Sequence, residues 1–227
     1  LQSADNAVVD VNLFTGNAAS NGGGLRVNGG TDVAVTANVV TDNTAGSRGG
    51  GLYLSTASPD VIDNEITGNE ATGSEGGGAW VNATGGSIVD NLVADNVAAT
   101  NGGGIVLVSG NGSLSGNAIE DNAATNGRGG GLYVTGAGNQ VTGGTVTGNT
   151  AGTRGGGADV TGASTSFFDV IVTGNSALVR GGGFAWSGTA GSLAGESRRD
   201  GACNTVSGNV APVAPAIEVA LTILRGW

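Results

Sequence analysis

The chain contains no lysine, no histidine and no methionine, and among its 227 residues one is cysteine and three are proline. Each absence closes a route. Without histidine or a second thiol there is no Cys–His nucleophile and no Cys/His metal site. Cys203 has no partner for a disulfide within the chain. Every cation is arginine, and the formal net charge is −10. An acidic chain disfavours nucleic acid as a partner. No run of about 18 apolar residues occurs, so no segment reads as a membrane span. The glycine runs lack the GK[ST] of a phosphate-cradling loop. No signal-peptide pattern follows Leu1, and the chain reads as a mature or excised piece of something longer.

What is abundant is glycine, 47 residues, about three times the ordinary share. Collagen needs glycine at every third position, a period this chain does not keep. Disorder needs low hydrophobicity, yet 38% of the residues are apolar. There remains a repeat protein whose glycines sit at fixed turn positions, long enough for one large domain with its own core.

The repeat is explicit. A triple glycine begins at Gly22, Gly49, Gly76, Gly102, Gly129, Gly155 and Gly181, so the successive spacings are 27, 27, 26, 27, 26 and 26. An asparagine column runs through Asn17, Asn43, Asn69, Asn96, Asn122, Asn149, Asn175 and Asn209. Alanine follows each of these two residues later, and an apolar residue precedes each by three, from Phe14 and Val40 to Val206. A second asparagine column, five residues earlier, holds Asn12, Asn38, Asn64, Asn91, Asn117 and Asn204 and lapses at Gly144 and Val170.

The runs between the glycines are short, β-branched and alternating, as in GLYL and SIVDNLV. Three short strands and three turns fill one such period, which makes each repeat one rung of a β-helix. The expected fold is all-β, a β-helix of about eight rungs, one repeat to a rung. It forms a single domain over residues 1–220. A loop insert lies at about 187–203, and residues 221–227 form an atypical tail or cap. Stacked rungs turn equivalent residues into columns about 4.8 Å apart, and an inward asparagine column hydrogen-bonds along the stack. Period two then points the first and third residues after each triple glycine inward, such as Leu52 and Leu54. It points the middle one outward: Arg26, Tyr53, Trp80, Val106, Tyr133, Asp159 and Ala185.

The outward columns are the candidate contact surfaces. Tyr53, Trp80, Val106 and Tyr133 form a largely aromatic stripe suited to a sugar ring or a protein partner. Arg128, Arg154 and Arg180 occupy one column just before successive triple glycines. With Arg198 and Arg199 from the insert they form an anion strip, for acidic glycans or lipid headgroups, and Asp159 is the acid near enough to partner it. Charge divides along the chain: residues 1–125 carry 2 − 13 = −11 and residues 126–227 carry 6 − 5 = +1. The acids include two sets with glycosidase-like adjacency, Asp95 with Asp121 (Asp42 lies two rungs before Asp95) and Asp63 with Asp90. Hydrolysis needs two carboxylates roughly 5–9 Å apart across a cleft, but these sit at turns beside ladder asparagines, and no arginine base lies between Arg48 and Arg128. They read as a solvated acidic edge. No catalytic or metal-binding residues are assigned and no cofactor is expected. Ca²⁺ between stacked carboxylates is the one cation weighed, and the nonapeptide Asp repeat of calcium β-rolls is missing. Thr15, Thr41, Thr67, Thr147 and Thr173 make a broken outward column that β-propensity explains.

FTGN at Phe14–Asn17 followed by GGGL at Gly22–Leu25 resembles the FxxN and GGA[ILV] repeats of polymorphic outer-membrane proteins. The pattern is also similar to the GGG-[IL]-Y and SGN-x-A repeats of bacterial surface β-helix proteins. Phe occupies one of the eight FxxN sites here. The resemblance implies a right-handed parallel β-helix, acting as an extracellular or cell-surface, adhesive, non-catalytic solenoid segment with a glycan or surface protein as partner. It also allows stacking on further rungs or self-association. Right-handed β-helices that act on polysaccharides, as hydrolases or lyases, are the enzymatic alternative.

Overall fold

The computed structural model describes residues 1–108, 110–188, 192–193, 204–212 and 217–219. Its regular elements are short strands joined into four parallel sheets. One rung shows the plan. Strands Asp60–Ile62, Glu65–Thr67, Glu70–Ala71 and Ala79–Asn82 follow one another around the coil, and each belongs to a different sheet, here called walls one to four. Ile66 lies between Val40 and Val93, and Val81 between Leu54 and Leu107, one rung to either side. Seven rungs are complete, and an eighth adds strands Ser192–Leu193, Thr205–Ser207 and Ile217–Val219.

The expectation of three strands per rung is corrected to four. Wall three is only two residues long from the third rung to the seventh, as at Val97–Ala98 and Ala123–Ala124. A strand that short carries no alternation to read. It lies inside the N-x-A motif, whose alanines Ala45, Ala71, Ala98 and Ala124 are buried.

Four strands need four corners, and a residue with positive φ stands at each, joined by a further one in some turns, as at Gly86 and at Gly144. Wall two is entered through Val11, Ala37, Asp63, Asp90, Gly116, Gly143 and Asp169; wall three through Gly16, Asp42, Gly68, Asp95, Asp121, Gly148, Gly174 and Gly208. Asn6, Asp32, Ser58, Gly85, Asn111, Gly138 and Ser164 lead into wall one. The first glycine of each triple leads into wall four. Left-handed backbone disfavours residues with a Cβ, and Gly, Asn and Asp tolerate it best, which explains why these three fill most of the columns, with Val11, Ala37, Ser58 and Ser164 as exceptions. The second and third glycines of each triple have another role, close approach. A Cβ on Gly51 would lie 2.8 Å from the Gly78 carbonyl oxygen and 3.0 Å from the Asn69 side chain.

The inward set after each triple glycine, from Leu25 and Val27 to Phe184 and Trp186, lies in one continuous core with Val35, Val61, Ile66, Val93 and Ile119. Each buried large apolar side chain of this column contributes roughly 1.5–3 kcal/mol. In the seventh rung the aliphatic filling gives way to Phe167, Phe184 and Trp186, which meet edge to face at 4.9 and 5.9 Å.

The asparagine columns are hydrogen-bonded ladders. Asn69 uses its backbone N–H and its side-chain N–H₂ to donate to Asn96 Oδ1, at 2.9 and 3.0 Å. Its Nδ2 also donates back to the Val40 carbonyl at 2.8 Å. The pattern repeats from Asn43 to Asn175, all fully buried, and closes on Asn209. The second ladder runs from Asn12 through Asn38, Asn64 and Asn91 to Asn117. It lapses at Gly144 and Val170, and the Val170 N–H then donates to Asn204.

The eighth rung locates the insert. Ser166 pairs with Ser192, an offset of 192 − 166 = 26 and so one ordinary repeat. Ile171 pairs with Thr205, an offset of 205 − 171 = 34. The excess of eight positions therefore enters between Leu193 and Thr205, later than the expected start at 187. Most of that loop, with Arg198, Arg199 and Cys203, lies outside the described residues, as does the tail 221–227. Ile217–Val219 takes the wall-four place against Phe184–Trp186.

Candidate functional site

Arg26, Tyr53, Trp80, Val106, Tyr133, Asp159 and Ala185 stand in register on wall four, one per rung. They alternate with the core residues, so they face away from the coil's interior, but the open stripe expected of them is corrected. Trp80 and Val106 are buried, with 4% and 0% exposure, and so are Asp159 and Ala185. Tyr53 and Tyr133 are half-buried. The reason is local. The segment before each triple glycine folds back across the strand that follows. A Cβ on Gly76 would lie 3.0 Å from Trp80 Cβ, and one on Gly181 would lie 3.1 Å from Ala185 Cβ. Wall four therefore carries a second, thin layer on its outer side.

On the acidic half this layer is an interlocked pile. Tyr53 and Trp80 stack with centroids 4.7 Å apart and planes 12° off parallel. Arg26 lies 5.5 Å over Tyr53 and Arg48 lies 5.0 Å over Trp80. Glu75 Oε1 accepts from the Trp80 indole at 3.0 Å and faces Arg48 Nε at 3.3 Å. Cation–π contacts of this kind contribute roughly 0.5–1 kcal/mol where exposed. Trp80 is thus tied to the cover segments through Glu75 and Arg48.

On the other half, Arg128, Arg154 and Arg180 continue the column that carries Arg48, Glu75 and Asn101 in earlier rungs. The backbones of Arg154 and Arg180 form a parallel bridge. Arg154 Nε lies 2.6 Å from Asp159 Oδ2, and Nη2 donates to Asp159 Oδ1 at 3.4 Å and to Ser187 Oγ at 3.3 Å. Arg154 therefore covers the buried Asp159 much as Arg48 covers Trp80. Arg128 and Arg180 are exposed. With Arg154, Thr153 and Val179 they line an open groove of about 250 Å³. Of the five arginines expected in the strip, the structure brings these three together.

The acidic columns are corners. Asp42, Asp95 and Asp121 have φ of 57°, 57° and 53°, and Asp63 and Asp90 have 55° and 53°. All five are exposed. Their columns hold glycine in other rungs, so backbone conformation accounts for their positions. The sequence reading missed this, although a signal was present: the residue before each ladder asparagine is mostly Gly or Asp. Among the described residues no three His, Cys, Asp or Glu side chains are grouped to hold a metal. The threonine column is half-buried beyond the exposed Thr15, with hydroxyls 3.4 Å apart at Thr41–Thr67 and Thr147–Thr173, and Ala94 and Glu120 interrupt it.

A second open groove, of about 320 Å³, lies at the corner between walls four and one and is lined by small neutral residues, among them Gly30, Thr56 and Asn82. It offers hydroxyl and amide groups but no charge.

The chain was compared with known proteins. No curated protein and no solved structure matches it. A family model described as the right handed beta helix region matches residues 1–177. That match covers six complete rungs and part of the seventh, in a coil whose sheets, corners and ladders all repeat with the sequence. By that match, over 177 of 227 residues, the chain belongs to the right-handed β-helix family.

Proposed function

We propose that the chain is a structural and adhesive solenoid segment without catalytic activity, acting outside the cell or at its surface. The observation that carries this reading is the use made of its polar residues. Ladder asparagines hold rung to rung, and Asp42, Asp63, Asp90, Asp95 and Asp121 turn corners at positive φ. A carboxylate whose column holds glycine one rung away is chosen for its backbone, whereas a glycosidase needs two carboxylates disposed about a substrate. The similarity of FTGN and GGGL to the repeats of polymorphic outer-membrane proteins supports surface display, with a glycan or surface protein as partner. The sides of the rod make the contacts.

A polysaccharide-active enzyme, hydrolase or lyase, or the carbohydrate-binding portion of one, is the second reading. It draws on Asp95 and Asp121, exposed in one column on adjacent rungs. A polysaccharide panel scored both for retention and for new reducing or unsaturated ends separates the two. Product release that disappears in Asp95→Asn or Asp121→Asn sinks the scaffold reading. Retention without turnover supports it.

A further inference from the structure

We propose that Asn111 is an acceptor for N-linked sugar, a covalent modification site on the corner between walls four and one. It stands apart from the reading of the chain as an adhesive rod and does not depend on it.

The sequence holds two Asn-x-Ser/Thr triplets, Asn82-Ala83-Thr84 and Asn111-Gly112-Ser113. Such a triplet is the recognition unit for sugar transfer to asparagine, and it serves where it stands on the surface. The other asparagines lack a hydroxyl residue two positions on, and the ladder members from Asn38 to Asn175 are buried. The fold brings both triplets to adjacent turns of one corner but sets them differently. Asn82 closes the strand Ala79–Asn82 and is half-buried. Asn111 stands in the turn itself, with φ of 63°. It is exposed, and so is Ser113.

The turn ties down its main chain and presents its side chains. The Asn111 N–H donates to the Ala137 carbonyl at 2.9 Å, and the Ser113 N–H donates to the Gly86 carbonyl at 3.0 Å. Between them the Gly112 N–H donates to Asn139 Oδ1 at 3.0 Å. In its corner column Asn111 has Gly85 one rung before it and Gly138 one rung after. A Cβ on Gly138 would lie 2.6 Å from Asn111 Oδ1, so the amide lies along the corner over a residue with no side chain. The two glycines leave room for a transferase to close on the amide, and for the sugar ring once it is attached. Beside the corner, Ser87, Ser113 and Gln140 stand in register on wall one. They alternate with the buried Ile88, Leu114 and Val141, which places them on the outer side. They carry no charge and offer hydrogen-bonding groups to the hydroxyls of an attached sugar.

The transfer is a substitution at the anomeric carbon. Asn111 Nδ2 attacks C1 of a sugar activated as its phosphate or diphosphate ester. The N–C1 bond forms as the C1–O bond breaks. The phosphate leaves with the electron pair, and one Nδ2 proton passes to a base of the transferase. Nothing is oxidised or reduced. The activated sugar and the transferase come from the producing cell, and Ser113 supplies the hydroxyl that marks the triplet.

The test incubates the folded full chain with a soluble asparagine N-glycosyltransferase and UDP-glucose, and maps the products by peptide mass spectrometry. A peptide of residues 106–116 is the unstructured reference. A site that must wait for local unfolding is slowed by the opening equilibrium, and an exposed turn is not. The expected result is therefore one hexose on Asn111, added at a rate within about tenfold of the peptide's, with Asn82 at least about tenfold slower than Asn111. Ser113→Ala abolishes the product and Ser113→Thr restores it, with circular dichroism checking the fold of each variant. No hexose on the folded chain, or product only after unfolding in urea, overturns the proposal. So does equal yield in Ser113→Ala, or modification of Asn82 in preference to Asn111.

Discussion

Replacing Asn96 by alanine probes the part of the molecule on which everything else is hung. Asn96 is fully buried, and its side chain makes four hydrogen bonds. It donates to the Ile66 carbonyl at 2.8 Å and to Asn122 Oδ1 at 3.0 Å. It accepts from the backbone N–H of Asn69 at 2.9 Å and from Asn69 Nδ2 at 3.0 Å. Alanine removes all four and leaves the buried Asn69 N–H without that acceptor. An orphaned buried donor costs about 1–3 kcal/mol and each of the other three bonds about 1, so the loss is about 4–6 kcal/mol. Asn17→Ala is the internal control. Asn17 is exposed in the first rung, and its side chain donates only to Asn43 Oδ1, so about 0.5–1 kcal/mol is at stake. Urea unfolding followed by circular dichroism gives the two losses. Solenoids need not unfold in one step, so amide hydrogen exchange accompanies it, with faster exchange expected in the rungs of Asn69, Asn96 and Asn122. A loss below about 1 kcal/mol at Asn96, or equal losses at the two sites, would refute the ladder as the stabilising device.

Three further outcomes are expected. Gly103→Ala puts a Cβ into the Gly130 carbonyl and the Ala123 backbone and costs about 3 kcal/mol, read as a lowered thermal midpoint. Arg154→Ala, which removes the ion-pair partner that covers Asp159, destabilises by about 3 kcal/mol. Asp159→Asn costs less, because the Arg154 side chain is 21% exposed and reaches water; urea midpoints of the two variants give the order. Asp42→Gly changes stability by less than about 0.5 kcal/mol whereas Asp42→Val costs about 1–2, since the position has φ of 57°; calorimetry compares them.

Most of the coil was legible because its signals recur. One buried Val at a strand centre is ambiguous, but the same place filled by Val40, Ile66, Val93 and Ile119 is a wall. The ladders and inward residues were read the same way. Wall three was not, since two residues cannot display a period. The cover over Trp80 and Val106 was not either, because alternation says which way a side chain leaves the sheet and nothing about what lies beyond it. The Arg154–Asp159 contact was anticipated, yet the burial that makes Asp159 a structural anion required the fold. The acids at the corners were noticed as columns, but their common cause, a left-handed backbone, shows only when Asp42 and Gly68 are seen to do the same work.

The asparagine-to-asparagine hydrogen bonds of the ladders run one way. A ladder asparagine donates from its backbone N–H and its Nδ2 to the Oδ1 of the next rung toward the C-terminus, as Asn69 does to Asn96 and Asn149 to Asn175, while Nδ2 also reaches back to a main-chain carbonyl of the preceding rung. A rung thus has a giving side and a receiving side, and two rungs fit only in the same orientation. The natural unit of change in such a chain is one whole repeat, whose duplication or loss restores every partner. Smaller insertions must go where no ladder passes. The cover segment absorbs them between ladder and triple glycine, which is shorter from Asn17 to Gly22 than from Asn69 to Gly76. So does the stretch between Leu193 and Asn204. The ladders fix the frame of the coil, and the outer segments vary in length without breaking a ladder bond.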